Sequence, residues 1–429
     1  MFKWNLVELF SGIGSQARAF ENVGMKPNVL ATCEWDCHAF IAYDAIHNGN
    51  SVLPEVDKMT HEELIGEISR FNISITGKKA ASRNGIVSLN DGVLKRMLTA
   101  IRRCNNLIDV SRVKGDEMPD DIDIMTYSFP CQDLSNVGAF HGYRKGIDMG
   151  SGSRSSLLWE VGRILSEMQN HGKKLPRFLV MENVPTLLSK RHKPNFDKWI
   201  KMLEDFGYVN KYIPVNAKNY GIPQNRPRLL MMSVYVGNNS DLKENVLNYF
   251  DKLGNDETKI IKEYKESKYY HLSSIGDLLR SSSDHNSKLW EETLACVPND
   301  TPSRRRIWNE NPKIIDENGI YQKDEYIRTI TTKQDRNPNS GNIYVDTDIE
   351  GRSKFRYLTP RECMLFMGFK DEDYESIILN NELKTHGDTV LFPRDTIIHL
   401  AGNSIPVNML EGFFYQIKKI DRYMKKLQK

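Results

Sequence analysis

Apolar and polar positions alternate along the first half of the chain with two periods, one typical of strands and one typical of helices. Short apolar runs rich in β-branched residues predict buried strands in the segments WNLVELF, NVLATCEW, DIDIMTYS and RFLVMEN. Helical periodicity covers about residues 15–23 after the first run and about residues 37–46 after the second. Because strands that alternate with helices form mostly parallel sheets covered on both faces, the pattern predicts a doubly wound α/β fold.

Two stretches depart from this pattern. Between about residues 50 and 106, a polar insertion indicates surface helices, to which the sequence assigns no role. After about Tyr235, Asn, Asp, Lys, Ser and Tyr occur at irregular spacing, which predicts a second, less regular domain over residues 235–395. Strong helical periodicity in residues 396–429 predicts a segment that rejoins the first domain, residues 1–234.

Length and composition agree with this division. A chain of 429 residues exceeds one small core, so two domains are expected. Mean hydropathy is −0.52, and no apolar run approaches the roughly 20 residues of a membrane span, so we expect a soluble protein. The N-terminus lacks the features of a secretory signal, which predicts a cytoplasmic protein. The net charge of +3 neither requires nor excludes nucleic acid, so any DNA-binding face must be a local patch.

The six cysteines form no dense framework, and free thiols are therefore expected. Cys33 and Cys37 have the spacing of half a zinc site. No second cysteine or histidine pair in the sequence completes that site, and we expect no metal.

The third predicted strand runs into Pro130 and then Cys131, in the stretch DIDIMTYSFPCQDLS. Proline cannot donate to a sheet ladder and ends the strand. Ligands of open α/β sheets bind beyond the carboxyl ends of strands, so the thiol of Cys131 lies where chemistry takes place. A small hydrophobic residue that fills a gap is the alternative interpretation, and the neighbouring motifs have to decide.

The first strand leads into a glycine-rich turn, Phe10-Ser-Gly-Ile-Gly14, and then a helix. Glu34 ends the second strand about 20 residues later, a spacing at which an acidic side chain binds ribose hydroxyls. Trp35 offers an indole face on which adenine can stack. These residues predict a nucleoside-bearing cofactor, while a nicotinamide enzyme and a merely structural βα turn stay open at this point.

A second strand-end site follows the run RFLVMEN, where Glu182 lies between apolar residues. A carboxyl group in such surroundings can stay protonated and act as an acid. In YGIPQNRPRLLMMS, Arg226 and Arg228 project from one face at strand spacing. Alone, two such arginines indicate a solvated face or salt bridges, but beside a cysteine and a glutamate at strand ends they indicate a catalytic site.

Eight stretches occur along the chain in a recognisable order, namely ELFSGIGS, CEWD, DIDIMTYSFPCQDLS, SSLLWE, LVMENV, NYGIPQNRPR, RYLTPRECMLFMGF and AGNSIPVNML. They resemble the motifs of the DNA cytosine-5 methyltransferases of bacterial restriction-modification systems, over about residues 6–233 and from 356 to the end. The resemblance implies a Rossmann-like, S-adenosylmethionine-dependent methyltransferase domain and a smaller, irregular target-recognition domain. Ser15 departs from the family pattern, where a further glycine is common, as does Val137, where some members carry serine.

The resemblance also implies a role for each matched residue. Cys131 attacks carbon 6 of cytosine, and Glu182 holds ring nitrogen 3 and the exocyclic amine and supplies a proton. Arg228, supported by Arg226, stabilises charge on the ring's carbonyl oxygen. The implied cofactor contacts are Phe10, Gly12, Ile13, Gly14, Glu34, Trp35, Asp109, Pro130, Leu157, Asn403 and Ser404. The candidate DNA contacts are Gln132, Ser135, Arg304, Arg305, Arg306, Thr329, Lys333 and Arg336.

We therefore expect an enzyme that methylates cytosine in a specific sequence of double-stranded DNA, by base flipping and a covalent cysteine–cytosine intermediate. We expect a monomer, associated with a bacterial nucleoid and paired in function with a restriction endonuclease. A tRNA cytosine-5 methyltransferase of the same fold is the alternative, although the long irregular domain favours DNA. A catalytically silent relative would lack Cys131, Glu182 or Arg228, and a nicotinamide oxidoreductase would not need them.

Overall fold

The computed structural model of the chain describes residues 3–130, 134, 147, 154–280, 284, 286–321, 325–336, 338–385 and 389–427. Three predicted site residues, Cys131, Gln132 and Ser135, lie outside the described residues. Among the described helices, none combines the length and the apolar character that a membrane crossing requires.

A six-stranded sheet forms the centre of the described structure. The strands, in chain order, are β1 (Lys3–Leu9), β2 (Lys26–Cys33), β3 (Ile124–Tyr127), β4 (Phe178–Asn183), β5 (Tyr208–Asn216), β6 (Gln224–Asn225), β7 (Pro227–Tyr235), β8 (Lys313–Ile315), β9 (Ile327–Arg328), β10 (Asn342–Tyr344) and β11 (Phe355–Arg356). The central sheet has the order β2-β1-β3-β4-β7-β5. β1 to β4 are parallel, and β7 runs antiparallel to β4 and β5. The predicted doubly wound, mostly parallel sheet is confirmed.

The carboxyl ends of the parallel strands meet at one edge of this sheet. Leu9, the last residue of β1, pairs with both Cys33 at the end of β2 and Tyr127 at the end of β3. β7 runs the other way and begins at this same edge, because Leu229 pairs with Asn183 at the end of β4. The turns after β1 to β4 and the first residues of β7 therefore share one edge, which we call the site edge.

Helices cover both faces of the sheet. In chain order they are α1 (Ser15–Asn22), α2 (Cys37–Asn48), α3 (Pro54–Asp57), α4 (His61–Ile68), α5 (Arg83–Val87), α6 (Asp91–Arg103), α7 (Leu158–Asn170), α8 (Lys193–Asp205), α9 (Ser240–Leu253), α10 (Thr258–Lys265), α11 (Ile275–Leu278), α12 (Lys288–Ala295), α13 (Pro302–Glu310), α14 (Pro360–Leu365), α15 (Asp371–Leu379), α16 (Arg394–Asn403) and α17 (Val407–Leu427). Leu6 and Val7 are neighbours in β1 and are both fully buried, but they belong to two separate apolar clusters. Successive strand residues point to opposite faces, so each face of the sheet carries its own core.

The insertion of residues 50–106 belongs to the core. α4 packs against α6, and α6 packs against α2. Leu64, Ile68, Leu94 and Met97 are 0% exposed, and within each helix they repeat at the spacing of one helical face. The expectation of surface helices is therefore corrected, because the many polar residues of the outer faces conceal an apolar stripe in the sequence.

Both ends of the predicted second domain pack against elements of the first. α9 and α10 pack against the last helix, α17, and α15 packs against α2. Between these ends lies a smaller sheet of order β11-β10-β8, in the part of the chain that also forms α12 and α13. β9 pairs in parallel with β6, where Gln224 lies opposite Ile327. This pairing joins the irregular region directly to the start of β7.

Candidate active site

Glu182 and Arg228 form an ion pair at the site edge. Glu182 is the last residue but one of β4, Arg228 is the second residue of β7, and the two strands are antiparallel neighbours. Arg228 Nε lies 2.8 Å from Glu182 Oε1, and the side chains are only 13% and 12% exposed. Burial raises the pKa of Glu182, and the charges of Arg228 and Arg226 oppose this effect in part. The structure thus brings together two of the predicted catalytic residues.

Arg226 lies close by but is used differently. Its guanidinium donates to three backbone carbonyls, at 2.7 Å from Ile330, 2.8 Å from Gly402 and 2.8 Å from Ser404. The residue is 2% exposed, and it precedes β7, whose first residue is Pro227. The expectation that Arg226 and Arg228 project from one strand face is therefore corrected. Arg226 ties the irregular region and the C-terminal segment to the start of β7.

Gln224 acts beside Arg226 on the same segment, although the sequence interpretation gave it no role. Its Oε1 accepts from the Ile330 N–H at 3.0 Å, and its Nε2 donates to the Phe366 carbonyl at 2.7 Å. Thr329, a predicted DNA contact, donates its hydroxyl to the Asn225 carbonyl at 2.7 Å. Both backbone groups of the fully buried Ile330 are therefore held by the QNR stretch. The resemblance had included that stretch, and its glutamine was the available signal.

Three side chains hold the carbonyls on either side of the predicted nucleophile. Cys131 itself is outside the described residues, but Phe129, Pro130 and Leu134 are described. Asn183 Nδ2 donates to the Phe129 carbonyl at 3.0 Å, and Ser155 Oγ donates to the Pro130 carbonyl at 2.6 Å. The Leu134 carbonyl accepts from the Thr186 hydroxyl at 2.7 Å. The chain that enters and leaves the Cys131 segment is anchored to β4 and to the turn before α7. Sequence reasoning missed these anchors.

The glycine turn after β1 has a backbone that favours glycine. Gly12 and Gly14 have φ of +54° and +83°, and Phe10 between strand and turn also has a positive φ of 58°. A Cβ on Gly14 would lie 2.2 Å from Nε2 of His47, whereas a Cβ on Gly12 would meet no atom within 4 Å. Gly14 is thus required for packing, and Gly12 opens onto free space at the site edge. This arrangement lets a ligand approach the backbone, as the predicted cofactor site requires.

Glu8 supports this turn from beneath, a role that sequence reasoning also missed. Its Oε1 accepts from the Ala17 N–H at 3.2 Å in the first turn of α1, and the Tyr43 hydroxyl donates to its other oxygen. Burial raises the pKa of Glu8 to about 7. A buried acidic residue within an apolar strand was the signal in the sequence.

Glu34 follows β2 and closes over the glycine turn. Its carboxylate accepts from the Gly12 N–H at 3.1 Å and from the Asp36 N–H at 3.0 Å. Asn106 bonds to both the backbone N–H and the carbonyl of Glu34, each at 3.0 Å. Burial raises the pKa of Glu34 to about 7. A carboxyl group fixed against an open glycine fits a ligand that carries ribose hydroxyls.

Comparison of the sequence with known protein families identifies the family of the chain. A profile of the C-5 cytosine-specific DNA methylase family matches residues 73–419. The chain belongs to this family. The predicted family and the predicted enzyme class, a DNA cytosine-5 methyltransferase, are therefore confirmed.

Individual relatives extend over nearly the whole methylase. Type II methyltransferase M2.ScrFI of Lactococcus lactis subsp. cremoris is 29% identical over 419 residues, which cover 96% of this chain and 98% of the relative. Orphan methyltransferase M.SssI of Spiroplasma monobiae is 28% identical over 421 residues and 97% of each chain. The solved structure of S. pombe Dnmt2 methyltransferase has a TM-score of 0.53 and 14% identity, with 96% of this chain and 97% of that chain covered. This structural likeness shows the fold alone.

Asp109, another predicted cofactor residue of the methylase, lies beside Glu34. Its Oδ1 accepts from the backbone N–H of Ser111 at 3.0 Å and from the Ser111 hydroxyl at 2.7 Å. Burial raises the pKa of the Cys33 thiol, and the nearby charges of Glu34 and Asp109 raise it further. The carboxylates of Glu34 and Asp109 therefore both lie near Cys33, at the end of β2. Trp35, directly after Glu34, is half-buried against the apolar core.

The remaining predicted cofactor residues of the methylase have local contacts in this structure. The Ile13 carbonyl lies 3.2 Å from Nε2 of His47, and Leu157 is half-buried at the start of α7. The amide nitrogen of Asn403 lies 3.0 Å from Nε2 of His399. Ser404 donates its hydroxyl to the Leu400 carbonyl at 3.0 Å. The cofactor roles of these four residues stay predictions.

The predicted DNA contacts of the methylase differ in how far they are available. Arg304 Nη2 lies 2.8 Å from both carboxylate oxygens of Asp335, and the Arg304 side chain is 15% exposed. Arg305 and Arg306 are 68% and 75% exposed and form only surface pairs, with Asp300 and Glu310. Arg304 therefore stabilises the loop that carries Asp335, whereas the side chains of Arg305 and Arg306 are exposed at the surface. Two further predicted contacts, Lys333 and Arg336, are also exposed.

One group of side chains in the described part of the chain has the composition of a metal site. Ligand atoms of Asp36, Cys37 and His38 lie within 4.8 Å of one another. His38 Nδ1 is 2.9 Å from Asp36 Oδ1, and the Lys384 ammonium lies 3.3 Å from His38 Nε2. Because that ammonium already supplies a positive charge, the group is a polar junction between α2 and the segment after α15. Cys33, whose spacing from Cys37 is that of half a zinc site, is not in the group.

We predict that cofactor affinity depends on the protonation of Glu34. Ribose hydroxyls donate to a carboxylate, and burial raises the pKa of Glu34 to about 7, so protons compete with the ligand below that value. The affinity for S-adenosylhomocysteine should be constant above about pH 8 and fall by up to about tenfold per pH unit below about pH 7. Isothermal titration calorimetry across this range measures it. Glu34→Gln should bind more weakly and lose the pH dependence, whereas a flat wild-type profile contradicts the prediction.

Proposed function

We propose that this methylase transfers a methyl group from S-adenosylmethionine to carbon 5 of cytosine within a specific sequence of double-stranded DNA. The observation that carries the proposal is the buried pair of Glu182 and Arg228, 2.8 Å apart at the site edge. Cys131 follows Pro130 in the chain, and the Pro130 carbonyl is fixed to this edge by Ser155. A thiol, an acid and a guanidinium are the groups that cytosine activation needs.

The chemistry begins at the ring. Carbon 5 of cytosine is a weak nucleophile until another group adds at carbon 6. The Cys131 thiolate forms the bond to carbon 6, and the electron pair of the ring moves towards nitrogen 3, which takes a proton from Glu182. Arg228 donates to the ring's carbonyl oxygen and stabilises the charge that develops there. Burial supports this role because it raises the pKa of Glu182, which favours the protonated form of the carboxyl group.

The resulting enamine carries nucleophilic character at carbon 5, which would take the methyl group as its bond to the sulfonium sulfur breaks and S-adenosylhomocysteine leaves, while nitrogen 3 gives its proton back to Glu182. A water molecule then takes the proton from carbon 5, and the electrons of that C–H bond restore the ring double bond and expel the Cys131 thiolate. Since the thiolate is regenerated, the enzyme needs no other covalent partner. Glu182 has only to hold and return one proton at nitrogen 3, a task suited to a carboxyl group fixed against Arg228.

The residues after β1 and β2 fit S-adenosylmethionine, which supplies the methyl group when it is bound. Gly12 opens onto free space, and Glu34 presents a carboxylate beside it. Phe10, Gly12 and Gly14 would hold the methionine part, Glu34 the ribose and Trp35 the adenine. The turn supports this assignment, because Gly12 carries no side chain and a Cβ there would meet no atom within 4 Å, so a ligand can come close to the backbone.

DNA recognition falls to the smaller region between the two packed ends of the second domain. We assign it to residues 286–356, which carry the small sheet and α13 with Arg305 and Arg306. The target base lies inside the duplex stack and must be flipped into the site edge, at a cost of a few kcal/mol. The contacts of Gln224 and Arg226 with Ile330 support this division, because they connect the recognising region to the catalytic strand.

Methylation assays on two nucleic acids test this proposal. Purified enzyme with methyl-labelled S-adenosylmethionine should label duplex DNA, and bisulfite sequencing of the expression host's DNA should place 5-methylcytosine in one short sequence. Label on tRNA alone would support the tRNA alternative and overturn the DNA assignment. The monomer is tested by the mass of the free protein in solution. Protection of that sequence from a co-encoded endonuclease tests the proposed restriction partner.

We predict that Arg305 and Arg306 neutralise DNA phosphates. Replacement of both by alanine should weaken binding and reduce the slope of log K against log salt by about one unit for each phosphate that is no longer neutralised. Fluorescence anisotropy of a labelled duplex, titrated at several salt concentrations, gives the slope. Lys201→Ala is a matched control, because Lys201 is 68% exposed and pairs with Asp205 at the same i,i+4 spacing as Arg306 and Glu310. An unchanged slope in the double variant would show that these arginines belong to a solvated face and do not neutralise phosphates.

A further inference from the structure

Residues 72–74 of the insertion lie beside the chain that follows β2, where the proposed function places adenine. The Ser74 N–H donates to the Trp35 carbonyl at 2.7 Å, and the Cys37 N–H donates to the Ser74 carbonyl at 2.9 Å. Ile73 and Ser74 are 1% and 0% exposed. Residues 72–74 are therefore held in place beside Trp35 by backbone bonds and by burial.

Asn72 connects this segment to Asp109. Its side-chain Nδ2 donates to Asp109 Oδ2 at 2.5 Å, while Ser111 occupies Oδ1. The side chain of Asp109 is 18% exposed. Asn72 is itself only half-buried. The insertion thus fixes a carboxylate that would otherwise have its second oxygen held only by the more distant Arg112, whose Nε is 3.7 Å away.

Asp109 faces the same strand end from the other side. The Leu107 N–H donates to the Thr32 carbonyl at 2.8 Å, and Asn106 bonds to both backbone groups of Glu34. The insertion on one side and the chain around Asp109 on the other therefore meet at the Asn72–Asp109 hydrogen bond. Glu34 and Trp35, which follow β2, are each bonded to one of these two segments: Glu34 to Asn106 and Trp35 to Ser74.

We infer that residues 72–74 form a wall of the adenine pocket, and that Asn72 is a positioning residue that holds the Asp109 carboxylate ready to accept from the exocyclic amine of adenine. This inference rests on the proposed function, since it takes S-adenosylmethionine as the ligand. An exocyclic amine has two N–H donors, and a carboxylate is the acceptor that suits them. It gives the insertion a task that its sequence did not suggest, namely selection of the cofactor's base.

The consequence is discrimination between adenine and hypoxanthine. Hypoxanthine carries a carbonyl oxygen where adenine carries the amine, and two acceptors that face each other cannot form a hydrogen bond and repel each other. Wild-type enzyme should bind S-adenosylhomocysteine at least about tenfold more tightly than S-inosylhomocysteine. Removal of the Asn72 donor leaves Asp109 free to turn away, so this ratio should shrink.

The test measures the affinity of the full chain for both ligands by calorimetry. Asn72→Ala should weaken S-adenosylhomocysteine binding by about fivefold or more and reduce the discrimination ratio by a similar factor. Asn72→Leu, which keeps the side-chain volume, should do the same if the missing donor is the cause. Asn84→Ala is the matched control, because Asn84 is an exposed asparagine of the same insertion. Thermal melting reports whether each variant is folded.

A double-mutant cycle separates positioning from general weakening. If Asn72 acts through Asp109, the double variant Asn72→Ala, Asp109→Ala should lose no more discrimination than Asp109→Ala alone. An unchanged ratio in folded Asn72→Ala and Asn72→Leu would overturn the inference while the proposed function stands. Failure of the wild type to bind S-adenosylhomocysteine at all would instead overturn the proposed function.

Discussion

Replacement of Cys131 by alanine is expected to abolish methyl transfer and to leave the affinity for S-adenosylhomocysteine unchanged. In the proposed mechanism the thiol would act on the base, whereas the glycine turn and Glu34, which follow other strands, would hold the cofactor. Without an addition at carbon 6, carbon 5 has no enamine character, so turnover should fall by about four orders of magnitude or more. Transfer of labelled methyl groups to duplex DNA measures the loss, and calorimetry measures the retained affinity.

The same residue should be trapped by fluorinated DNA. Fluorine at carbon 5 cannot leave as a cation, so the enzyme cannot complete the elimination once the methyl group has been transferred. Duplex DNA with 5-fluorocytosine at the recognised site should therefore give an adduct that survives a denaturing gel, and peptide mapping should place it on Cys131. The adduct should require S-adenosylmethionine, because before methyl transfer the thiolate can depart from carbon 6.

Cys296→Ala is the control for both experiments. Cys296 is fully buried, and burial raises the pKa of its thiol to about 12, so it carries almost no thiolate at neutral pH. This variant should methylate DNA and form the adduct as the wild type does. Turnover by Cys131→Ala, or an active wild-type preparation that forms no stable adduct, would exclude the nucleophilic role of Cys131.

The site edge was predictable because strand ends have local signals. Pro130 ends one apolar run, Glu182 ends another, and Arg228 begins a third, and each signal lies within a few residues of sequence. Parallel strands that share an edge then bring such residues together, as the 2.8 Å pair of Glu182 and Arg228 shows. The resemblance to known methyltransferases added roles to these positions, which the strand pattern alone could not do.

The partners of Arg226 were beyond this kind of reasoning. It donates to backbone carbonyls that are 104, 176 and 178 positions away in the chain, and a carbonyl has the same chemistry in every residue. Arg226 and Arg228, at alternate positions, therefore looked alike in sequence, although Arg226 is buried and bonded to distant carbonyls while Arg228 pairs with Glu182 at the site edge. The insertion was misinterpreted for a related reason, because its apolar stripe is recognisable as core only when its packing against α2 is known.

Glu182→Gln is expected to lower kcat/KM by about two to four orders of magnitude, since an amide can donate to nitrogen 3 but has no proton to give up. The pH profile should identify the cause. Burial raises the pKa of Glu182, so the wild-type rate should fall as pH rises through that raised value and the acid loses its proton. In Glu182→Gln this alkaline limb should disappear, while Glu204→Gln, an exposed site on α8, should keep both rate and profile.

Arg228 lowers the pKa of Glu182 through its charge, so Arg228→Ala should move the alkaline limb of the profile to higher pH even as the rate falls. Persistence of the alkaline limb in folded Glu182→Gln would assign the proton to another group, because only the residue that titrates in the profile can be the acid that acts on the ring.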